Sequence, residues 1–178
     1  MKLRFGLLGL LLLVAACAQP ARTSQMIYHA SEAQQAEVPD AVLGSVAIAS
    51  VSGGEETSPL WTSEVGDVEF REALLVTLQE LGLHAFDDDA PYALTVNLLG
   101  LEQPLVGFDA TVTCTANYLV VANADGSEVF NETFVTPYTA DFSDAIIGVE
   151  RLRLANEGAA RANIEAFVAR FLQVAAEL

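Results

Sequence analysis

Apolar residues along this chain recur first with the period of a strand, then with that of a helix, and the order of these stretches predicts its fold. Residues 42–49, Val-Leu-Gly-Ser-Val-Ala-Ile-Ala, are rich in β-branched side chains and read as a first strand. Phe70, Leu74, Leu78 and Leu81 then recur at helical spacing with Ala73 and Thr77 beside them, laying one apolar stripe along a helix over 68–81. Asp67 is a candidate N-cap for it, and Gly82 a C-terminal stop. Leu94, Val96 and Leu98 alternate with Ala93, Thr95 and Asn97, a second strand over 92–98. In 110–120 the apolar side chains take the even positions, from Val112 and Cys114 to Tyr118 and Val120, against Thr111, Thr113, Thr115 and Asn117. That third strand ends at Asn123-Ala124-Asp125-Gly126, whose Asp-Gly pair favours a hairpin with positive φ, and 129–135 returns as a fourth. Ala160, Ile164, Phe167, Val168, Phe171, Val174 and Leu178 keep a helical period through 149–177, with Glu157 and Arg161 supporting the exposed side. Strand, helix, three strands, helix predicts a single α+β domain over 41–178. Its sheet is expected to be four-stranded and antiparallel, with two helices packed on one face.

The pattern changes before residue 41. Met1, Lys2 and Arg4 precede an apolar run over 5–16 that ends in Ala15-Ala16 before Cys17. About a dozen apolar residues fall short of the ~20 that a spanning helix needs, so 1–16 read as a signal peptide. Leu13-Val14-Ala15-Ala16-Cys17 resembles the bacterial lipobox. That resemblance implies cleavage before Cys17, a diacylglyceryl group on its sulfur and a fatty acid such as palmitate on the new N-terminus. Residues 17–40 are rich in Ala, Gln, Ser and Glu and read as the lipidated cysteine followed by a flexible tether, interrupted by the apolar Met26-Ile27-Tyr28.

Charge narrows the partners. Lys2 and Arg4 lie in the signal, so the remainder carries six arginines against 24 acidic residues. Such a surface repels a polyanion, which excludes nucleic acid as a partner. It also gains nothing from anionic headgroups, so acyl chains rather than surface charge are expected to hold the protein to the bilayer.

Residues for catalysis or metal binding are few. The two histidines are His29, in the tether, and His84, at the end of the first helix, and no G-x-S-x-G elbow or phosphate-cradling glycine loop is present. Asp87-Asp88-Asp89 are consecutive and point in different directions, which suits a solvated turn. Asn123, Asp125, Gly126 and Glu132 match part of a calcium-loop spacing, but Val121 stands at its first position and strands flank it. A non-enzymatic protein without metal or cofactor, apart from the lipid on Cys17, is therefore expected. Cys114 reads as core. Two features remain. Arg151, Arg153 and Arg161 gather at the start of the last helix as a possible partner or anion contact, beside Glu150 and Glu157 with which they could instead pair. The loop 142–148 is unusually apolar: Phe142, Ile146 and Ile147 could cover the end of the sheet or form a docking lip.

Asp67-Val68-Glu69-Phe70-Arg71-Glu72-Ala73-Leu74, Gly107-Phe108-Asp109-Ala110-Thr111-Val112 and Glu150-Arg151-Leu152-Arg153-Leu154-Ala155-Asn156-Glu157 resemble small, largely uncharacterised lipoproteins of alphaproteobacteria. Some of these carry a UDP-N-acetylglucosamine acyltransferase label, the name of an enzyme built from hexapeptide repeats, which this chain lacks. The element order is also similar, more distantly, to the lipopolysaccharide-assembly lipoprotein and to auxiliary lipoproteins of ABC transport systems. These resemblances imply a lipid-anchored periplasmic binding or assembly subunit with an envelope protein as partner. A carrier of lipid or small apolar ligand is the alternative, and a hydrolytic or acyl-transfer enzyme a distant third. Ala18 after the cysteine is not the aspartate that retains enteric lipoproteins at the inner membrane, so the outer membrane is the expected site. A cavity lined by Val112, Cys114, Phe167 and Phe171 would mark a carrier; a filled core with an exposed apolar rim around Ile146 would mark a subunit.

Overall fold

A computed structural model describes residues 18–57, 63–86, 89–104 and 107–178. Two short helices, α1 (Thr23–Met26) and α2 (Glu32–Ala36), and a 3-10 turn at Asp40–Val42 precede β1 (Val46–Ser52). Then come α3 (Asp67–Glu80), β2 (Tyr92–Glu102), β3 (Ala110–Ala122), β4 (Glu128–Ala140) and α4 (Gly148–Ala175). The sheet order is β1-β2-β3-β4.

The sheet is mixed, which corrects the antiparallel expectation. β1 pairs with β2 in parallel, Val46 beside Tyr92 and Ser52 beside Asn97, while β2–β3 and β3–β4 are antiparallel. The cause is α3: its 14 residues extend about 21 Å, as far as the strands, and return the chain to the end where β1 began. The next strand therefore runs the same way as the first. Gly82, with φ 69°, ends that return after the C-cap Leu81, as its sequence position suggested. Asp67 is the first helical residue rather than the cap, which is Gly66; the Asp67 carboxylate instead accepts from the Gly54 amide at 2.6 Å. Gly126 has the positive φ, 75°, that the β3–β4 turn requires.

One face of the sheet is sealed by helices, α4 lying on β3 and β4 and α3 beside β1. Val112, Cys114, Ala116, Tyr118 and Val120 are all buried there, as their alternation predicts. Tyr118 stacks on Phe167 at 4.3 Å between ring centres, and Phe130 meets Phe167 and Phe171 edge-on at 5.7 and 5.8 Å. Gly158 lets α4 approach β4: a Cβ there would stand 2.2 Å from the Tyr138 ring. The opposite sheet face is polar, with Asn117 donating to Asn131 and Thr133, and it leaves Leu99 and Val135 exposed.

The first described stretch of the segment expected to be a tether is packed, whereas residues 31–40 are exposed or half-buried. From Ala18 to Ala30 the segment lies along α3 and α4 as a strap, and α1 within it and α2 after it add two short helices to the expected pair. Ala21 N–H donates to the Glu64 carbonyl, Arg161 Nη1 to the Gln25 carbonyl, and Tyr28 N–H to Thr77 Oγ1. His29 meets Glu80 at 2.9 Å. Ala21, Met26, Tyr28 and Ala30 are buried in the common core, so the Met26-Ile27-Tyr28 patch is the strap's inner face. The strap starts at the end of the sheet where β1, β2 and β4 finish, here called the top. It ends at the bottom, where His29 meets Glu80, the last residue of α3.

Candidate functional site

The top of the sheet gathers the start of the strap, the first turns of α3 and α4, and the loops after β1, β2 and β4. Its centre is Glu157, 1% exposed. Arg22 grips this carboxylate with both prongs of its guanidinium, Nε to Oε1 and Nη2 to Oε2, each at 3.0 Å, and adds its backbone N–H at 2.9 Å. Hydrogen bonding to Glu157 holds the Arg22 pKa above its ordinary value against the opposing effect of desolvation. Arg153 Nε lies 3.7 Å from the same carboxylate, and its Nη groups donate to Glu150 and to Gln19 Oε1. Beside them the buried Asn156 donates to the Ser63 carbonyl, which also receives Gln103 Nε2. Ser63 Oγ in turn donates to the Gln19 carbonyl at 2.7 Å.

These contacts place each residue singled out in the sequence. Glu157 faces inward, not along the exposed side with Arg161. Arg153 and Arg161 reach the strap at Gln19 and Gln25, and Arg161 also lies over the Tyr138 ring at 5.7 Å. Arg151 turns back to the preceding loop, donating to the Ala145 and Ile146 carbonyls and lying 5.3 Å from the Phe142 ring centre. The three arginines are thus engaged inside the domain, and their first role is to fasten the strap and the loop to α4. Cys17 lies outside the described residues, one position before Ala18; Asp87 and Asp88 also lie outside them.

Phe142, Ile146 and Ile147 are exposed, with Ile146 at 79%. Phe108, which the sequence did not single out, joins them: it is 83% exposed and meets Phe142 edge-on at 6.4 Å. Its position in a Gly-Phe-Asp loop carried no periodic signal. The amide of Phe142 donates to Asp109 Oδ1 at 3.0 Å, tying the two loops together. The result is an apolar rim framed by Asp109, Asp141 and Asp144.

A cavity of about 300 Å³ lies under the β1 end, lined by Gly53, Gly54, Val65, Leu98, Leu101 and Cys114 among others. Of the four residues that would mark a carrier, Cys114 alone is among these. Phe167 and Phe171 are packed against Tyr118 and Phe130 in a filled core. Burial pushes the Cys114 thiol up to about 12. In a Cys17→Ser chain, iodoacetamide at about pH 8 is therefore expected to leave Cys114 unmodified while folded and to label it fully on unfolding; rapid native labelling would contradict this burial. The same thiol stays protonated in the folded state while the unfolded one ionises, so the unfolded chain binds fewer protons above about pH 9. Its contribution to stability is accordingly lost between about pH 9 and 12.

Among the described residues no cluster of His, Cys, Asp and Glu has the form of a metal site, and no helix is long and apolar enough to cross a membrane. No protein-family model matches the chain, and no curated protein matches it. Solved structures do share its fold. A putative lipoprotein from Caulobacter crescentus aligns over 82% of this chain and 96% of its own, with a TM-score of 0.53 at 15% identity. A DUF330 protein from Xanthomonas campestris aligns over 75% and 82%, with a TM-score of 0.53 at 16% identity. A hypothetical protein from Chlamydia trachomatis aligns over 76% and 99%, with a TM-score of 0.56 at 12% identity. At these identities the likeness is one of fold.

Proposed function

We propose that this protein is a lipid-anchored lipoprotein of the bacterial envelope, attached through Cys17, and that it acts there as a non-enzymatic binding or assembly subunit. The observation that carries the reading is the apolar rim at the top of the domain, at the end where the chain leaves toward Cys17. The fold shared with a putative lipoprotein supports the anchor. The filling of the core around Phe167 favours a subunit over a carrier. Arg151, Arg153 and Arg161 are engaged by carbonyls, side chains and rings of the domain itself, which suits a positioning role. Envelope assembly or lipid transport, at the outer membrane, is the setting this reading favours.

Two measurements test it. Cys17→Ser is expected to abolish fatty-acid labelling and move the protein from the membrane to the soluble fraction; labelling that persists would refute the anchor. Crosslinking in native membranes, with identification of what is attached, is expected to recover one envelope protein in stoichiometric amount. Recovery of lipid without protein would instead support the carrier.

A further inference from the structure

A free tether of some two dozen residues would let the domain stand off the bilayer and tumble. The strap removes that freedom. Ala18 is buried, Gln19 is held by Ser63 and Arg153, and Arg22 is locked onto Glu157. A lipid on Cys17 would thus be joined to the folded body within one residue of Ala18, at the top.

The apolar rim is at that same end. Arg153 holds Gln19 and Arg151 holds Ile146, both from the first two turns of α4, so the strap's start and the rim share one support. Phe108, Phe142, Ile146 and Ile147 are all exposed, and scattered single apolar residues need no explanation where a cluster of four at one pole does. From this we infer that the top of the domain is its membrane-facing end, with these four side chains entering the headgroup layer of the bilayer that holds the acyl chains. The inference rests on the lipid-anchor reading. Acyl chains bring the rim to the surface, and apolar burial then fixes the orientation, as two weak signals combine in peripheral attachment. Asp109, Asp141, Asp144 and Glu150 around the rim oppose anionic lipid, so zwitterionic headgroups are the matching surface.

The test uses the full lipidated chain, purified from membranes, with its single Trp61 replaced by phenylalanine so that each introduced indole is the only emitter. Ile146→Trp, Phe108→Trp and, on the open sheet face, Val135→Trp are reconstituted in phosphatidylcholine–phosphatidylethanolamine vesicles containing brominated phosphatidylcholine. The two rim indoles are expected to lose about half of their emission or more and the Val135→Trp indole little, as insertion to headgroup depth requires. Adding phosphatidylglycerol is expected to weaken the rim quenching. Mass measurement of the N-terminal peptide comes first: absence of lipid on Cys17 overturns the anchor and this inference together. Lipid on Cys17 with rim and Val135→Trp quenched alike overturns the orientation and leaves the anchor standing. A rim that stays dark to quencher yet crosslinks to one envelope protein from Ile146 would assign the surface to that protein and likewise overturn it.

Discussion

Glu157→Ala is expected to lower the unfolding free energy by about 3 kcal/mol, the low end of the cost of removing one partner from a buried ion pair. The low end applies because Arg22 is 46% exposed and can recover water, and Arg153, 7% exposed, keeps Glu150 as an ion-pair partner. Chemical denaturation of the Cys17→Ser chain measures the loss. The same change should loosen the strap, since Glu157 receives three of its hydrogen bonds. Limited proteolysis is therefore expected to cut within residues 18–30 of the variant before the body unfolds. A variant as resistant as its parent would mean that Met26 and Tyr28 hold the strap by packing alone. Glu157→Gln separates charge from shape: it keeps an acceptor, and should fall between the two.

Asn163→Leu is expected to cost a similar amount, about 3 kcal/mol, through hydrogen bonds left unmade. The side chain of Asn163 is fully buried; its amide donates to the Cys114 and Phe134 carbonyls and to Thr136 Oγ1, and its oxygen accepts from the Tyr118 hydroxyl at 2.9 Å. Burial already pushes the Tyr118 pKa far up, so the orphaned hydroxyl cannot escape by ionising. Adding Tyr118→Phe to Asn163→Leu removes both ends of one bond and is expected to restore about 1 kcal/mol. If the double variant is no more stable than the single, the stacking of Tyr118 on Phe167, not its hydroxyl, governs this position.

How far the sequence reveals this molecule depends on the range of each interaction. The strand over 110–120 and both long helices follow from alternation and stripe, which are local, and their observed limits differ by a few residues. The parallel sense of β1 is a matter of topology. It was implied by a helix long enough to return the chain, yet no residue of β1 signals it. The strap is not legible in the sequence because its few buried apolar side chains, Ala21, Met26, Tyr28 and Ala30, are spread through polar sequence, and Arg22 among them finds its partner at residue 157. One signal could have pointed there. Ala155-Asn156-Glu157-Gly158-Ala159-Ala160 is a run of small residues with one acid in it, and all six are buried. Small side chains on every side of a helix mean close neighbours all round, and an acid among them must have a partner. The apolar rim was legible in part: Ile146 and Ile147 stand out as apolar residues in a loop, whereas Phe108 is joined to them by folding alone.

The grip of Arg22 on Glu157 also dictates an order of events. The two are 135 positions apart, so the first part of the domain to leave the ribosome is the last that can be seated. Contacts so distant in sequence form late, after the loop they close has been assembled. Until α4 is complete and docked, Arg22 is without its Glu157 partner. Under the proposed anchor, an enzyme acting at Cys17 would therefore meet an unseated strap only before the final helix arrives.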